Sequence, residues 1–480
     1  MKRAAGILLP IFSLPSKYGI GCFDKAAYEF VDFLNRAGQS YWQILPLGPT
    51  SFGDSPYQSF SSFAGNPYFI SLDELVEKGW IYKNEISSAD FSDSDDSINY
   101  EKLYHNRYPL LKRAYKRSNI SENKDFKRFC EENDWLYEYA MFMSLKDKNG
   151  GKVWNEWKEM KPENTEFYCF LQFLFYTQWK KLKSYANSHG IKIIGDIPIY
   201  TAFDSADVWS NPHLFQLNKK NQPTAVAGCP PDGFAAEGQL WGNPLYKWEA
   251  HKESGYEWWI KRLSHSFKLY DVLRIDHFRG FDEYYAIPYG SENAINGKWE
   301  KGPGIELFKA FENSCGRKNI IAEDLGFMTD SVKWLVKECG FPNMKVLEFA
   351  FDSRDTSGAG DHLPHNYSEN GVAYTGTHDN QTLSSWFDTI TEEERQMVRE
   401  YLCDSHTPDS ELNKPLISLI MRSNSKLCII PIQDYLGLKD FSRINTPSTV
   451  GNNWKWRAEK NQLSDSLCEN IMHITKLYGR

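Results

Sequence analysis

The stretch Val272-Leu273-Arg274-Ile275-Asp276-His277-Phe278-Arg279 decides how this chain is read. Its first half is a short aliphatic run, which predicts a strand. Arg274 and Asp276 are two residues apart, so on a strand both point to the same face. A guanidinium beside a carboxylate lowers the carboxylate's pKa. The pair therefore predicts an aspartate that stays ionised, as a nucleophile must. A single Arg-x-Asp also serves as a structural ion pair, so the rest of the chain has to decide between the two.

Working outward, similar apolar runs recur along the sequence. They are Ala5–Pro10, Tyr41–Pro46, Ile191–Pro198, Val272–Asp276, Ile320–Glu323, Lys345–Phe349, Val372–Thr375 and Leu427–Pro431. Most are followed by helical patterns, and this alternation predicts a parallel sheet. Asp24 is a predicted N-cap, with Phe30, Val31 and Leu34 on one helix face and Gly38 just past the end. A longer helix is predicted over about Glu166–Ser188, ending at Gly190. Eight strands alternating with helices give the α/β class and a (β/α)8 TIM barrel, with large, mainly helical insertions between barrel strands. The expected organisation is one catalytic barrel over residues 1–480, with a helical subdomain inserted at about 75–188 after the second strand. A second inserted loop or subdomain is expected at about 203–260, after the third.

Chemistry in such barrels sits at the C-terminal ends of the strands. Here those ends read Gly195-Asp196-Ile197-Pro198, Arg274-Ile275-Asp276-His277, Ala322-Glu323-Asp324 and Gly376-Thr377-His378-Asp379-Asn380. Carboxylates thus arrive at one rim from strands three, four, five and seven. Glu323 follows two isoleucines and an alanine; partial desolvation there raises its pKa and lets it hold a proton. One ionised and one protonated carboxyl is what glycoside cleavage with retention requires. Asp379 supplies a third carboxylate and His378 a donor to the same sugar. A metal-dependent barrel enzyme is the main rival, but no His-x-His or His-x-x-Glu-His spacing supports it.

Composition narrows the field. The chain has 480 residues, with 41% hydrophobic and 25% charged, as ordinary globular proteins have. Lys and Arg total 55 against 63 Asp and Glu, a net charge of −8 without a basic block. That argues against nucleic acid or an anionic membrane surface as a partner. No apolar run reaches the roughly 18 residues of a membrane span. Pro10 and Pro15 break the N-terminal apolar stretch before signal-peptide length. Nine scattered cysteines without a Cys-x-x-Cys pair fit a reducing, cytoplasmic setting. The acidic tract holding Asp90, Asp93, Asp95 and Asp96 lacks the spacing of a calcium loop and reads as solvated. Aromatic residues reach 15%; most serve the core, and some are candidates for platforms that cover the apolar faces of sugar rings.

Ordered motifs across almost the whole chain resemble those of 4-α-glucanotransferases of the amylomaltase (disproportionating enzyme) type, relatives of the α-amylase superfamily. They include Gln43-Ile44-Leu45-Pro46-Leu47-Gly48-Pro49, Gly53-Asp54-Ser55-Pro56-Tyr57-Gln58-Ser59 and Ala64-Gly65-Asn66-Pro67-Tyr68. Further matches are Ile194–Tyr200, Ala227–Asp232, Gly238–Tyr246, Arg274–Gly280, Ala322–Gly326, Gly376–Asn380 and Asn452–Arg457. The resemblance implies a retaining transfer in which Asp276 is the nucleophile, Glu323 the general acid/base and Asp379 the transition-state stabiliser. It also implies that Tyr57, Asp196, Trp241, Arg274, His378 and Asn380 surround the bound sugar. No metal, nucleotide or organic cofactor is implied, and the partners are malto-oligosaccharides and linear α-1,4-glucan.

Two positions depart from that pattern. Gly233-Phe234-Ala235-Ala236-Glu237 stands where relatives that hold glucan tightly often carry Tyr-Phe, and Phe52 stands where some relatives have tyrosine in a second glucan site. Pattern alone leaves an α-glucan hydrolase of similar architecture and a non-catalytic glucan-binding protein as alternatives. The three acids argue against the second of these.

Overall fold

The computed structural model describes residues 2–480 apart from 232–235, 327 and 354–358, and apart from the side chains of Phe52 and Ala359. Two aspects of the sequence expectation therefore lie outside the described residues, namely most of the Gly233 loop and the Phe52 ring.

Eight parallel strands run in chain order around one sheet. They are β1 (Ala4–Leu8), β2 (Tyr41–Gln43), β3 (Lys192–Pro198), β4 (Val272–Asp276), β5 (Ile320–Ala322), β6 (Asn343–Val346), β7 (Gly371–Tyr374) and β8 (Leu427–Pro431). β8 pairs with β1, so among the described residues the break in the ladder falls between β5 and β6. There the Ala322 N–H donates to the Pro342 carbonyl at 3.1 Å, and the Met344 N–H donates to Asp324 Oδ1 at 2.8 Å. The sheet closes into the expected (β/α)8 barrel. Several predicted runs end earlier in the structure, two of them most: the second stops at Gln43, and Leu347–Phe349 forms a 3-10 turn rather than the end of β6.

The period-2 alternation of strand side chains sets what faces inward. Val272, Ile194, Ile321, Val372 and Tyr374 pack with Tyr41, Met344 and Ile429 in the barrel interior. Their neighbours Leu273, Ile275 and Ile193 face outward and join the main core against the helices. Asp24 caps α1 (Lys25–Arg36) by accepting from the Ala26 N–H, and Gly38 takes φ +69 just beyond the helix. The long helix α2 covers Thr165–Ser188 and buries Phe170, Leu174, Trp179 and Leu182.

Between β2 and β3 the chain is largely helical, with Tyr100–Ser118, Lys124–Glu132, Trp135–Lys148 and α2 as its longer elements. The chain between β3 and β4 also carries two strands, Ala225–Cys229 and Gln239–Pro244. They form an antiparallel sheet with Glu283–Pro288 and Lys298–Lys301, which follow β4. This sheet joins two segments that lie on either side of β4 in sequence, and neither segment alone shows enough alternation to announce it. Among the described residues no helix is long and apolar enough to cross a membrane.

Burial pushes the Asp324 carboxyl up to about 7, against the opposing Met344 N–H and Lys345 charge. The folded chain then keeps a proton that the unfolded chain loses near pH 4. Stability from this group is full below pH 4 and falls as pH rises through about 7. Asp324→Asn keeps an acceptor for the Met344 N–H and removes the titration. Its urea-unfolding free energy is expected to fall less between pH 4 and 7 than that of the parent chain, by about 1 kcal/mol or more. Parallel pH curves would contradict this account.

Candidate active site

The site is built on neighbouring inward positions of β3 and β4. The register sets Asp196 beside Arg274 and Pro198 beside Asp276. Asp196, one step after inward-facing Ile194, is fully buried. The Arg274 guanidinium bridges the two acids, with Nη1 to Asp196 Oδ2 at 2.5 Å and Nη2 to Asp276 Oδ1 at 2.9 Å. Gly195 between them faces outward. A Cβ there would stand 2.1 Å from the Tyr270 ring, so a larger residue would displace the strand that carries Asp196.

Glu323 follows β5 and is buried. Its Oε2 accepts from the His277 N–H at 2.6 Å and its Oε1 from the Leu325 N–H at 2.9 Å. His277 takes φ +50, the left-handed region that costs a non-glycine residue energy. That turn aims its N–H at Glu323, and it directly follows Asp276. The two acids predicted to act together are thus anchored through adjacent residues.

Asp379 belongs to the turn after β7. Its Oδ2 lies 3.3 Å from His378 Nε2, and Asn445 Nδ2 donates to its Oδ1 at 2.6 Å. Arg443 Nη2 donates to the Asp379 carbonyl at 2.6 Å. Its side chain is 41% exposed and that of Asp276 is 28% exposed, so both can meet a ligand, whereas Asp196 at 0% cannot.

Tyr57 links the acids to an aromatic wall. Its hydroxyl donates to Asp196 Oδ2 at 2.8 Å, and its ring stacks on His378 at 5.0 Å and 14°. Trp454 completes the group at 5.7 Å from Tyr57 and 5.9 Å from His378. Trp241, on the small antiparallel sheet, sets its ring edge-on to His277 at 4.8 Å. The Asn380 side chain is engaged internally: Oδ1 accepts from the Thr377 N–H and hydroxyl, both at 2.9 Å.

Electrostatics departs from the expectation at one point. Burial raises the Asp276 carboxyl well above the aspartate range; Arg274 opposes this, while Asp196, Glu323 and Asp379 add to it. The predicted lowering by Arg274 is present and is outweighed by burial, with the neighbouring acids adding to the rise. Burial also raises Glu323, over the opposing effects of Arg274 and its two N–H donors. Burial lowers His378, although Asp379 favours its charged form. Strongly interacting carboxyls titrate as one unit, so the protons they retain belong to the cluster.

The structure therefore brings all nine predicted residues to the C-terminal rim or directly beneath it. Of these, Asp196 turns Oδ2 to Tyr57 and Arg274, and Asn380 turns Oδ1 to Thr377, within the protein. Sequence reasoning missed Asn445, Arg443 and Trp454. The first two lie in coil beyond β8, where no periodicity signals which side chains turn inward.

Arg274→Ala would leave Asp196 buried and unpaired. It is expected to destabilise the fold by about 3 kcal/mol or more, measured by urea unfolding. A loss under 1 kcal/mol would mean that water replaces the guanidinium. Arg274→Lys, with one point charge for two acids, is expected to recover only part of the loss.

Comparison with known proteins gives this geometry its context. The family profile described as 4-alpha-glucanotransferase matches residues 9–463. The 4-alpha-glucanotransferase of Clostridium butyricum is 48% identical over 98% of this chain and 99% of its own. That of Thermus thermophilus is 42% identical over 97% of this chain and 96% of its own. The structure of the amylomaltase from Streptococcus agalactiae in complex with acarbose superposes with a TM-score of 0.95, at 40% identity and full coverage of both chains. The amylomaltase from Corynebacterium glutamicum, at 18% identity, shares the fold with a TM-score of 0.81 over 98% of this chain and 75% of its own. The chain belongs to the 4-alpha-glucanotransferase family.

Proposed function

We propose that this protein transfers a segment of an α-1,4-glucan to the 4-hydroxyl of an acceptor glucan or glucose by double displacement, with Asp276, Glu323 and Asp379 carrying the chemistry. The observation that carries this reading is the joint anchoring of Asp276 and Glu323. Arg274 holds one, and the N–H of the residue next to it holds the other. A donor glucan lies across the rim with its scissile bond between the two carboxyls. Glu323 gives its proton to the glycosidic oxygen while Asp276 attacks the anomeric carbon. The C–O bond to the leaving segment breaks as the bond to Asp276 Oδ forms. The acceptor's 4-hydroxyl then enters and gives its proton to Glu323 as its oxygen bonds the anomeric carbon and the glucosyl–aspartate bond breaks, returning Asp276 as a carboxylate. Two inversions preserve the α configuration.

Arg274 stabilises the ionised form of Asp276 before attack and after release. Asp379, steadied by Asn445, meets the positive charge that develops on the sugar ring. Tyr57, His378 and Trp241 offer ring faces and edges to the sugar. Asp196 acts through Arg274 and Tyr57, and Asn380 through the turn it braces. The substrates are malto-oligosaccharides and linear α-1,4-glucan. Both the nucleophile and the proton donor come from the chain, so the reaction calls on no metal, nucleotide or organic cofactor. Nine free cysteines support work in a reducing cytoplasm, and the net charge of −8 supports a partner other than nucleic acid.

Incubation with maltotriose tests transfer against hydrolysis. A ladder of longer oligosaccharides with glucose is expected; reducing ends that rise with every cleavage would identify a hydrolase instead. Asp276→Ala and Glu323→Gln are each expected to lower turnover by about 10³-fold or more, with unfolding midpoints near the parent's. Near-parental turnover in either variant would remove that residue from the mechanism.

A further inference from the structure

A further buried carboxyl group stands behind the site, and neither the motifs nor the mechanism uses it. Glu348 follows β6 in the Leu347–Phe349 turn, only 8% exposed, and its backbone N–H donates to the Thr375 carbonyl at 3.3 Å. Its side chain faces Asn380, whose Cβ lies beside the same Gly376 as Oε1, and Oε1 is buried without a hydrogen-bond partner. Gly376 admits it: a Cβ at that position would stand 2.8 Å from Oε1. From Asn380 a chain of contacts leads to the catalytic turn. Asn380 Oδ1 accepts from Thr377, and Thr377 Oγ1 accepts from the Asp379 N–H at 3.2 Å.

We propose that Glu348 is a positioning residue for the reaction: its carboxyl orients the Asn380 amide and, through Thr377, fixes the turn that presents Asp379. Asn380 has two useful ends, and Thr377 occupies only the oxygen. Without a partner for its nitrogen, the amide is free to rotate, and the turn loses its brace. Asp379 is also held from the other side by Asn445 and Arg443, so Glu348 supplies the β6-side half of a two-sided clamp.

Glu348 performs this task as the neutral acid. The groups facing it are Asp434 of the short helix Ile432–Leu436 after β8, Asp440 and Arg443 of the chain beyond it, and Asn380. Asp434 already accepts from the Thr375 hydroxyl at 2.5 Å and the Leu383 N–H at 2.8 Å, which suits a charged carboxylate. Glu348 has fewer donors, and burial with the Asp434 charge pushes its carboxyl well above the usual range. Burial and the Asp434 charge therefore both favour the protonated form of Glu348. A neutral carboxyl of this shape has a near copy in glutamine, and that equivalence makes the inference testable.

The inference rests on the role given to Asp379. The experiment measures kcat and KM on maltotriose, with unfolding midpoints, for Glu348→Gln, Glu348→Asp and Glu348→Ala. Glu348→Asp withdraws the carboxyl by one methylene and Glu348→Ala removes it. Each is expected to lower kcat by about tenfold or more, as small misplacements of catalytic groups do, with KM within about threefold. Glu348→Gln is expected to stay within about threefold of the parent kcat. Parental kcat in Glu348→Asp would overturn the proposal, as would a Glu348→Gln loss as large as that of Glu348→Asp. If Glu348→Ala fails to fold, the other two variants still decide. Asp379→Ala is measured beside them; if it keeps turnover, the role of Asp379 fails, independently of how Glu348 behaves.

Discussion

One guanidinium, that of Arg274, organises the rim. It lies inside the barrel between a fully buried acid and a partly exposed one, bonded to both. Four carboxyls from four strand ends converge there, and Arg274 is the cation that answers them; His378 stays neutral because burial disfavours its charge. Separating so many negative charges from water is costly, and the cluster offsets part of that cost by retaining protons. The barrel needs that ion pair to close around polar residues, and the chemistry needs a site in which one carboxyl attacks while another gives up a proton. Both requirements fall on the same set of side chains.

Much of this was legible because strands carry a two-residue period. Val272, Arg274 and Asp276 share a face; the aliphatic member fixes that face as inward, and the two charged members must follow it. The same reasoning reaches Asp196 from Ile194 and Glu323 from Ile321. Where the chain leaves regular structure, that logic ends. Glu348 sits in an aliphatic and aromatic run that reads as a strand continuing to Phe349. The run turns after Val346, and this turn is what swings the carboxyl toward β7. Asn445 and Arg443 are ordinary polar residues in coil, and only the folded path of the loop beyond β8 brings them to Asp379. The small antiparallel sheet was hidden for another reason: its strands come from segments on either side of β4, so its pairing is a property of the fold rather than of either segment.

The structure also redistributes roles within the predicted set. A polar residue at a strand end is read most simply as a ligand for substrate. Asp196 is instead sealed beneath Arg274 and Tyr57, and the Asn380 amide is taken up by Thr377 and faces Glu348. Both act on other residues: one sets the charge and angle of a guanidinium, and the other sets a backbone turn. Their identities matter for the reaction even though their atoms are not offered to the sugar. Sequence motifs record that a residue type is required without recording which of these two reasons applies.

Transfer to sugar rather than water depends on how cheaply the acceptor is bound. A ring wall that must be ordered on binding spends part of the binding energy on side-chain entropy. Here the wall is already fixed. Tyr57 is tied through its hydroxyl to Asp196, His378 stacks on it, and Trp454 packs against both. The hydroxyl that anchors the wall bonds the same carboxylate oxygen that Arg274 bonds. The aromatic wall and the guanidinium that holds Asp276 are therefore tied to one oxygen atom, Asp196 Oδ2, inside the barrel. A sugar meeting that surface finds it in place, and its binding energy remains available to compete with water for the glucosyl group.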